Sequence, residues 1–359
     1  MSRVYNFCSG PAALPEAVLK KAQAEMLDWH GAGVSVMEMS HRSEEFMSIL
    51  ASAKARLTRL LNINDDYEIL FVQVWASTLF SQIPANLVNG FDSACFLDTG
   101  AWSSKAIKEA KRYTNVKVVG SSKEQNYTTV PDFSSLELDE SAAYLHLCPN
   151  ETIGGLEFAD LPETGLPIVA DLSSTILSRK IDVSKYGLIY AGAQKNVGPA
   201  GVVICIIRKD LLARSHDSLP SIWNFANLAA NDSMINTPPT FAIYLADLVF
   251  EWLEEQGGVE AIEAINALKA KTLYDFIDAS AFYSNPIDPA FRSRMNVPFT
   301  LADESLEALF LQESEAAGLR TLAGHRSVGG MRASIYNAMP MEGIVALIEF
   351  MRDFEKRHA

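Results

Sequence analysis

Seven short, almost unbroken apolar runs constrain this chain more than any other feature of it: residues 67–73, 94–98, 116–119, 143–148, 168–172, 188–191 and 202–207. Each has the length of a strand, and helical or loop segments separate them. A strand exposed on one face alternates apolar with polar residues, whereas a strand covered on both faces is apolar throughout. The runs therefore predict an α/β fold, a mostly parallel seven-stranded sheet between helical layers. In such sheets chemistry gathers in the loops beyond the carboxyl ends of the strands.

The flanking segments read as helices. Leu14-Pro15-Glu16 opens one, with Val18, Ala22, Met26 and Trp29 on a common face. Ser43-Glu44-Glu45 opens another, striped by Phe46, Ile49, Leu50, Ala53, Leu57 and Leu60. A longer one carries Phe241, Tyr244, Leu245, Leu248 and Trp252 and stops at Gly257-Gly258. Beyond it come a helical stretch over 259–279, strand-like runs at 295–300 and 331–335, and helices near 304–317 and 341–356. These read as a smaller α+β lobe. A chain of 359 residues suits two lobes, divided here as 14–258 for the large one and 1–13 with 259–359 for the small one.

Thirty Lys and Arg stand against 44 Asp and Glu, a formal charge of −14. A chain this acidic is a poor partner for nucleic acid or an anionic membrane, so anionic substrates must be met by a few concentrated basic residues. No run reaches the roughly 18 apolar residues of a membrane span, and a cytoplasmic location is expected. The cysteines (Cys8, Cys95, Cys148, Cys205) and the histidines show no metal spacing, and no metal is expected. No nucleophilic Ser with a matching His is evident.

YAGAQKNVGPAG, residues 190–201, is the most informative stretch. Lys195 lies among small residues between two strand runs. An ordinary loop lysine fits these residues; so does a partly desolvated amine of lowered pKa, as a Schiff-base lysine requires. Asp171, at the end of the apolar run IVADL, has two readings as well. It can cap the following Ser173-Ser174-Thr175, or pair with a protonated pyridine nitrogen. Basic groups cluster at Ser40-His41-Arg42 and in GHRSVGGMR, which holds His325, Arg326 and Arg332. Arginine forks suit carboxylate and phosphate, and a substrate with two anionic ends would use more than one of them.

These motifs resemble the phosphoserine aminotransferases, in the class V group of fold-type I pyridoxal-phosphate enzymes. The resemblance spans the chain, from NFCSGPAALP through SVMEMSHRSEEF, CPNETIGG, ADLSSTILSR, YAGAQKNVGPAG, NTPPTFAIY and SRMNVPF to GGMRASIYNAMP. It implies amino transfer from glutamate to 3-phosphohydroxypyruvate, giving 2-oxoglutarate and phosphoserine by ping-pong kinetics. A related activity on a phosphorylated pyridoxine precursor occurs in bacterial relatives. It also implies pyridoxal 5'-phosphate as cofactor. Lys195 and Asp171 are then the catalytic pair, with Trp102 stacked on the ring, Thr152 at its 3′-oxygen and Gln194 at the phosphate. Asn236 and Thr237 reach the cofactor phosphate of a neighbouring subunit, so a homodimer with composite sites is implied. Arg332 meets the substrate α-carboxylate, Ser9 also binds substrate, and His41, Arg42, His325 and Arg326 meet its distal phosphate or carboxylate, Arg42 from across the dimer.

One loop departs from the family pattern. The cofactor-phosphate turn is usually glycine-rich, close to QGGASxQF, but here it reads QVWASTLF, with Val74 and Trp75 in the glycine positions. If the donors are the backbone N–H groups of Ala76 and Ser77 with the Ser77 hydroxyl, the site survives. If a glycine supplied a positive φ, Val and Trp resist it by about 1–2 kcal/mol, and the alternative is a class V protein of impaired cofactor binding or altered specificity. Other class V reactions, a desulfurase among them, compete less well, because the cysteine loop that a desulfurase needs is not evident.

Overall fold

The computed structural model describes residues 3–359. All seven apolar runs become strands of one sheet: β1 (Tyr67–Val72), β2 (Ser93–Asp98), β3 (Asn115–Ser121), β4 (Leu145–Leu147), β5 (Ile168–Asp171), β6 (Leu188–Gly192) and β7 (Val203–Arg208). Their order is β1-β7-β6-β5-β4-β2-β3. Every pairing is parallel except those of β7, which is antiparallel to both neighbours. Chain length explains the exception. A parallel return needs a crossover of a dozen or more residues, and only the short 193–202 loop joins β6 to β7.

Neighbouring residues of each strand enter opposite cores. Ile69, Phe71, Leu145, Leu147, Ile204 and Ile206 face one apolar cluster, with helices Glu44–Leu61 and Thr240–Glu255 on that side. Leu70, Val72, Tyr144, Val203, Cys205 and Ile207 face the other, beneath helices Ala76–Leu87 and Ala101–Ala110. A third core packs around the antiparallel strands β8 (Tyr283–Ser284), β9 (Asn296–Leu301) and β10 (Met331–Ser334) with helices Glu307–Ala316 and Met341–His358. Helix Gly258–Ala279 joins the cores: Val259 and Ile262 pack into the large one, Ala270, Leu273 and Ile277 into the small one.

The first helix is shorter than its periodicity predicts. It spans Glu16–Ala24 with Glu25 as C-cap, and the chain beyond it forms a loop in which His30 and Gly31 adopt left-handed backbone conformations and Gly33 N–H bonds the Asp28 carboxylate at 2.7 Å. Trp29 still packs against the large core from this loop. Cys95, Cys148 and Cys205 are buried free thiols, and Cys8 is half-buried. No helix among the described residues is long and apolar enough to cross a membrane.

Candidate active site

Because β1, β2, β4, β5 and β6 run the same way, their carboxyl ends share one edge of the sheet. Lys195 sits in the hairpin after β6, and its amine donates to the Thr152 hydroxyl at 2.6 Å. Burial pulls that amine below its ordinary pKa, with Asp171 opposing the shift and Arg332 adding to it. Asp171 ends β5 and is 7% exposed. Burial raises its carboxyl above the usual range, while Lys195, Ser173 and Tyr190 pull it back. The capping reading of Asp171 is met, since one oxygen accepts from Ser173 N–H at 2.9 Å.

Arg332 is buried in β10 and bonds the Ser9 hydroxyl at 2.7 Å and the Thr152 carbonyl at 3.2 Å. Those two bonds leave donors of the guanidinium fork free for a carboxylate. Tyr336 holds the Ser9 carbonyl from its far side, at 2.8 Å. Trp102 opens helix Ala101–Ala110, and the Lys195 ammonium lies 5.8 Å from its ring. Gln194 packs against Gly10 and Gly192, and its carbonyl accepts Ala12 N–H at 2.8 Å. His325 is half-buried, bonded to the Ser327 hydroxyl at 2.7 Å. Burial and the cations Arg332, Lys105 and Arg326 lower its pKa. Its loop requires Gly324, where a Cβ would stand 2.1 Å from the Gly329 carbonyl.

Ser9, Trp102, Thr152, Asp171, Gln194, Lys195 and Arg332 therefore converge. His41, Arg42, Arg326, Asn236 and Thr237 make no hydrogen bond to that set among the described residues. Arg42, Arg326, Asn236 and Thr237 are exposed, and His41 keeps a buried Nε2 with no partner. Asn236 instead pairs with Gln73 of its own chain, each side-chain amide donating to the other residue at 3.1 and 3.3 Å.

Sequence reasoning missed Glu151 as a positioning group. It is 1% exposed, and its carboxylate accepts the N–H groups of Trp102 (2.8 Å) and Ser103 (2.9 Å) and the Ser103 hydroxyl (2.7 Å). It thus caps the helix that presents Trp102. Gly100 makes room for it, since a Cβ there would lie 2.5 Å from the carboxyl carbon. The signal available was an acidic residue inside the CPNET motif.

The phosphate loop uses no glycine conformation at 74–75. Neither Val74 nor Trp75 has a positive φ, and Trp75 is extended at φ −94°, ψ 155°. Its side chain is 66% exposed. Val74 packs on the apolar cluster under the helix. Helix Ala76–Leu87 has no side-chain cap, and Thr78 N–H returns to the Trp75 carbonyl at 2.8 Å. The N–H groups of Ala76 and Ser77 are left for an anion at a helix N-terminus. An uncapped helix, an indole face, a buried carboxylate and a low-pKa lysine along one sheet edge fit a phosphorylated pyridine aldehyde.

The fold and this constellation define an aminotransferase of the lysine-dependent kind. The aminotransferase class-V family profile matches residues 4–347, and the chain belongs to that family. More particularly, it is 89% identical over 358 residues to the phosphoserine aminotransferase of Marinomonas sp. (strain MWYL1), covering 100% of each chain. It is 56% identical to that of Hahella chejuensis, covering 99% of both. Among solved structures it matches the phosphoserine aminotransferase of Bacillus circulans subsp. alkalophilus with a TM-score of 0.98 at 47% identity, covering 99% of each chain. The pyridoxal-phosphate-bound phosphoserine aminotransferase of Trichomonas vaginalis aligns with a TM-score of 0.91 at 42% identity, covering 98% of this chain and 100% of that one.

Proposed function

We propose that this chain transfers an amino group between glutamate and 3-phosphohydroxypyruvate, giving 2-oxoglutarate and phosphoserine, with pyridoxal phosphate as cofactor. One observation carries the reading: the buried Lys195 amine bonds the Thr152 hydroxyl at 2.6 Å, Arg332 bonds the carbonyl of that same Thr152, and burial lowers the Lys195 pKa against the pull of Asp171, in a chain whose full-length relatives are phosphoserine aminotransferases.

When bound, pyridoxal phosphate supplies an electron sink for negative charge at the substrate α-carbon. The chain's residues do the rest. Ala76 and Ser77 N–H groups, the Ser77 hydroxyl and Gln194 would hold the phosphate. Trp102 would cover the ring, and Thr152 would bond its 3′-oxygen. Asp171, as a carboxylate, would hold a proton on the ring nitrogen. The Lys195 amine is free base more readily than an exposed lysine, so it would take up the proton of the substrate α-carbon and carry it between substrate and cofactor. Arg332, steadied by Ser9, receives the α-carboxylate. His325 and Arg326, with His41 and Arg42, receive the distal phosphate of one substrate or the distal carboxylate of the other.

The exposed positions of Arg42, Asn236 and Thr237 support a homodimer in which each subunit completes its partner's site. Pairing an Arg42→Ala chain with a Lys195→Ala chain tests this, because one intact composite site should return about a quarter to half of the activity. The division into lobes 14–258 and 1–13 with 259–359, a cytoplasmic location, and a second activity on the phosphorylated pyridoxine precursor belong to the same proposal. The direct test is stoichiometry. Glutamate alone should yield at most one 2-oxoglutarate per site, and 3-phosphohydroxypyruvate added afterwards should consume the stored amino group. Continuous release of 2-oxoglutarate without an acceptor would refute it.

A further inference from the structure

Beneath Asp171 lies a buried pair that the mechanism above does not use. His146 is in β4, Asp171 in β5 and Tyr190 in β6. Asp171 and Tyr190 are register partners, and His146 pairs with Val169, two residues before Asp171. Because side chains alternate along a strand, all three project from the same face of the sheet. The His146 Nε2 and Tyr190 hydroxyl are 2.8 Å apart, and Tyr190, as the register partner of Asp171, turns its hydroxyl toward that carboxyl and opposes its protonation. His146 is 3% exposed, Tyr190 is fully buried, and His146 Nδ1 has no partner.

Donor accounting fixes the direction of this chain of bonds. The Tyr190 hydroxyl has one proton. If His146 carried its proton on Nδ1, that N–H would be a buried donor with no acceptor. Nε2 would then draw the Tyr190 proton away from Asp171. Both costs vanish when the proton is on Nε2, since His146 then donates to Tyr190 and Tyr190 donates to the carboxylate. Burial favours the neutral ring by pushing the imidazolium pKa down to about 3, and Phe96 stacks on the ring at a centroid distance of 5.0 Å.

We propose that His146 and Tyr190 are positioning residues that hold Asp171 as a carboxylate, as a fixed relay from His146 Nε2–H through the Tyr190 hydroxyl to Asp171. The relay answers a specific problem. Asp171 is buried, and of the groups that oppose its protonation only Lys195 is a cation. Under the proposed function Lys195 becomes covalently bound to the cofactor, so its charge is not constant at this place. A neutral donor relay is constant. No proton moves along it. It rests on the reading in which Asp171 faces the cofactor's ring nitrogen.

The first test needs no activity. Nitrogen-15 NMR of the histidine side chains in the cofactor-free protein should show one ring with a protonated Nε2 and a bare Nδ1, unchanged down to pH 5. An Nδ1–H tautomer, or titration of that ring near its ordinary value, overturns the relay. The second test measures pyridoxal phosphate affinity and the pH dependence of the bound cofactor's absorbance. Tyr190→Phe and His146→Leu should each weaken binding roughly tenfold or more, the scale of a hydrogen bond to a charged group, and shift the titration. His146→Gln, which keeps an N–H donor, should recover most of the affinity. Equal effects of Leu and Gln would show packing alone and overturn the proposal. If Asp171→Asn weakens binding while Tyr190→Phe does not, the relay fails and the active-site reading stands. If Asp171→Asn binds normally, the active-site reading fails.

Discussion

Replacing both Val74 and Trp75 by glycine separates the two accounts of the phosphate loop. Neither residue occupies a left-handed conformation, so glycine relieves no strain. Each substitution instead adds unfolded-chain entropy, about 0.5–1 kcal/mol per position. Removing the half-buried Val74 side chain forfeits about another 1 kcal/mol of apolar burial, whereas Trp75 is 66% exposed and forfeits little. The double variant should therefore lose about 2–3 kcal/mol of stability in the cofactor-free protein. Its affinity for pyridoxal phosphate should stay within roughly threefold, because the Ala76 and Ser77 N–H groups are untouched. Chemical denaturation gives the first number and spectroscopic titration with cofactor the second. A stability gain, or binding tightened tenfold, would show that Val and Trp crowd the anion and would refute the geometric argument.

Lys195→Ala should abolish turnover while leaving the circular-dichroism spectrum and oligomeric size unchanged; measurable steady-state transamination in that variant would remove Lys195 from its role. Glu151→Ala leaves the buried N–H groups of Trp102 and Ser103 unpaired and should cost about 1–3 kcal/mol, with weaker cofactor binding as Trp102 loosens. Lys269 is fully buried and donates to the carbonyls of Ile335, Tyr336 and Met339 at 2.8–3.0 Å. Burial lowers its pKa to about 7, against about 10.4 in an unfolded chain. Between those values the unfolded chain binds more protons, so this group makes stability rise with pH from about 7 to 10. Urea unfolding of Lys269→Met at pH 7 and pH 9 should show a lower stability overall and a smaller rise than the parent; an unchanged rise would contradict the assignment.

The sheet was legible because burial on both faces writes itself as continuous apolar runs, and every run became a strand. The direction of β7 is a matter of chain length, which the short 193–202 connection already contains. The first helix was read too long because Met26 and Trp29 keep the helical spacing beyond Ala24, where the helix has already ended. Lys195 and Asp171 stood out as charged residues at strand ends. Glu151, His146 and Tyr190 did not, because a polar residue within or beside an apolar run looks like an ordinary core residue until the strand register shows what it faces. The loop at 74–75 was ambiguous for a different reason: residue type bounds φ only statistically, and backbone geometry was needed to show that no glycine conformation is used there.

Covalent trapping tests the central claim most directly. The protein loaded with pyridoxal phosphate is reduced with borohydride, digested and mapped by mass spectrometry. The account predicts the cofactor on the peptide containing Lys195 and on no other; a label on a different lysine, or none at all, would contradict it.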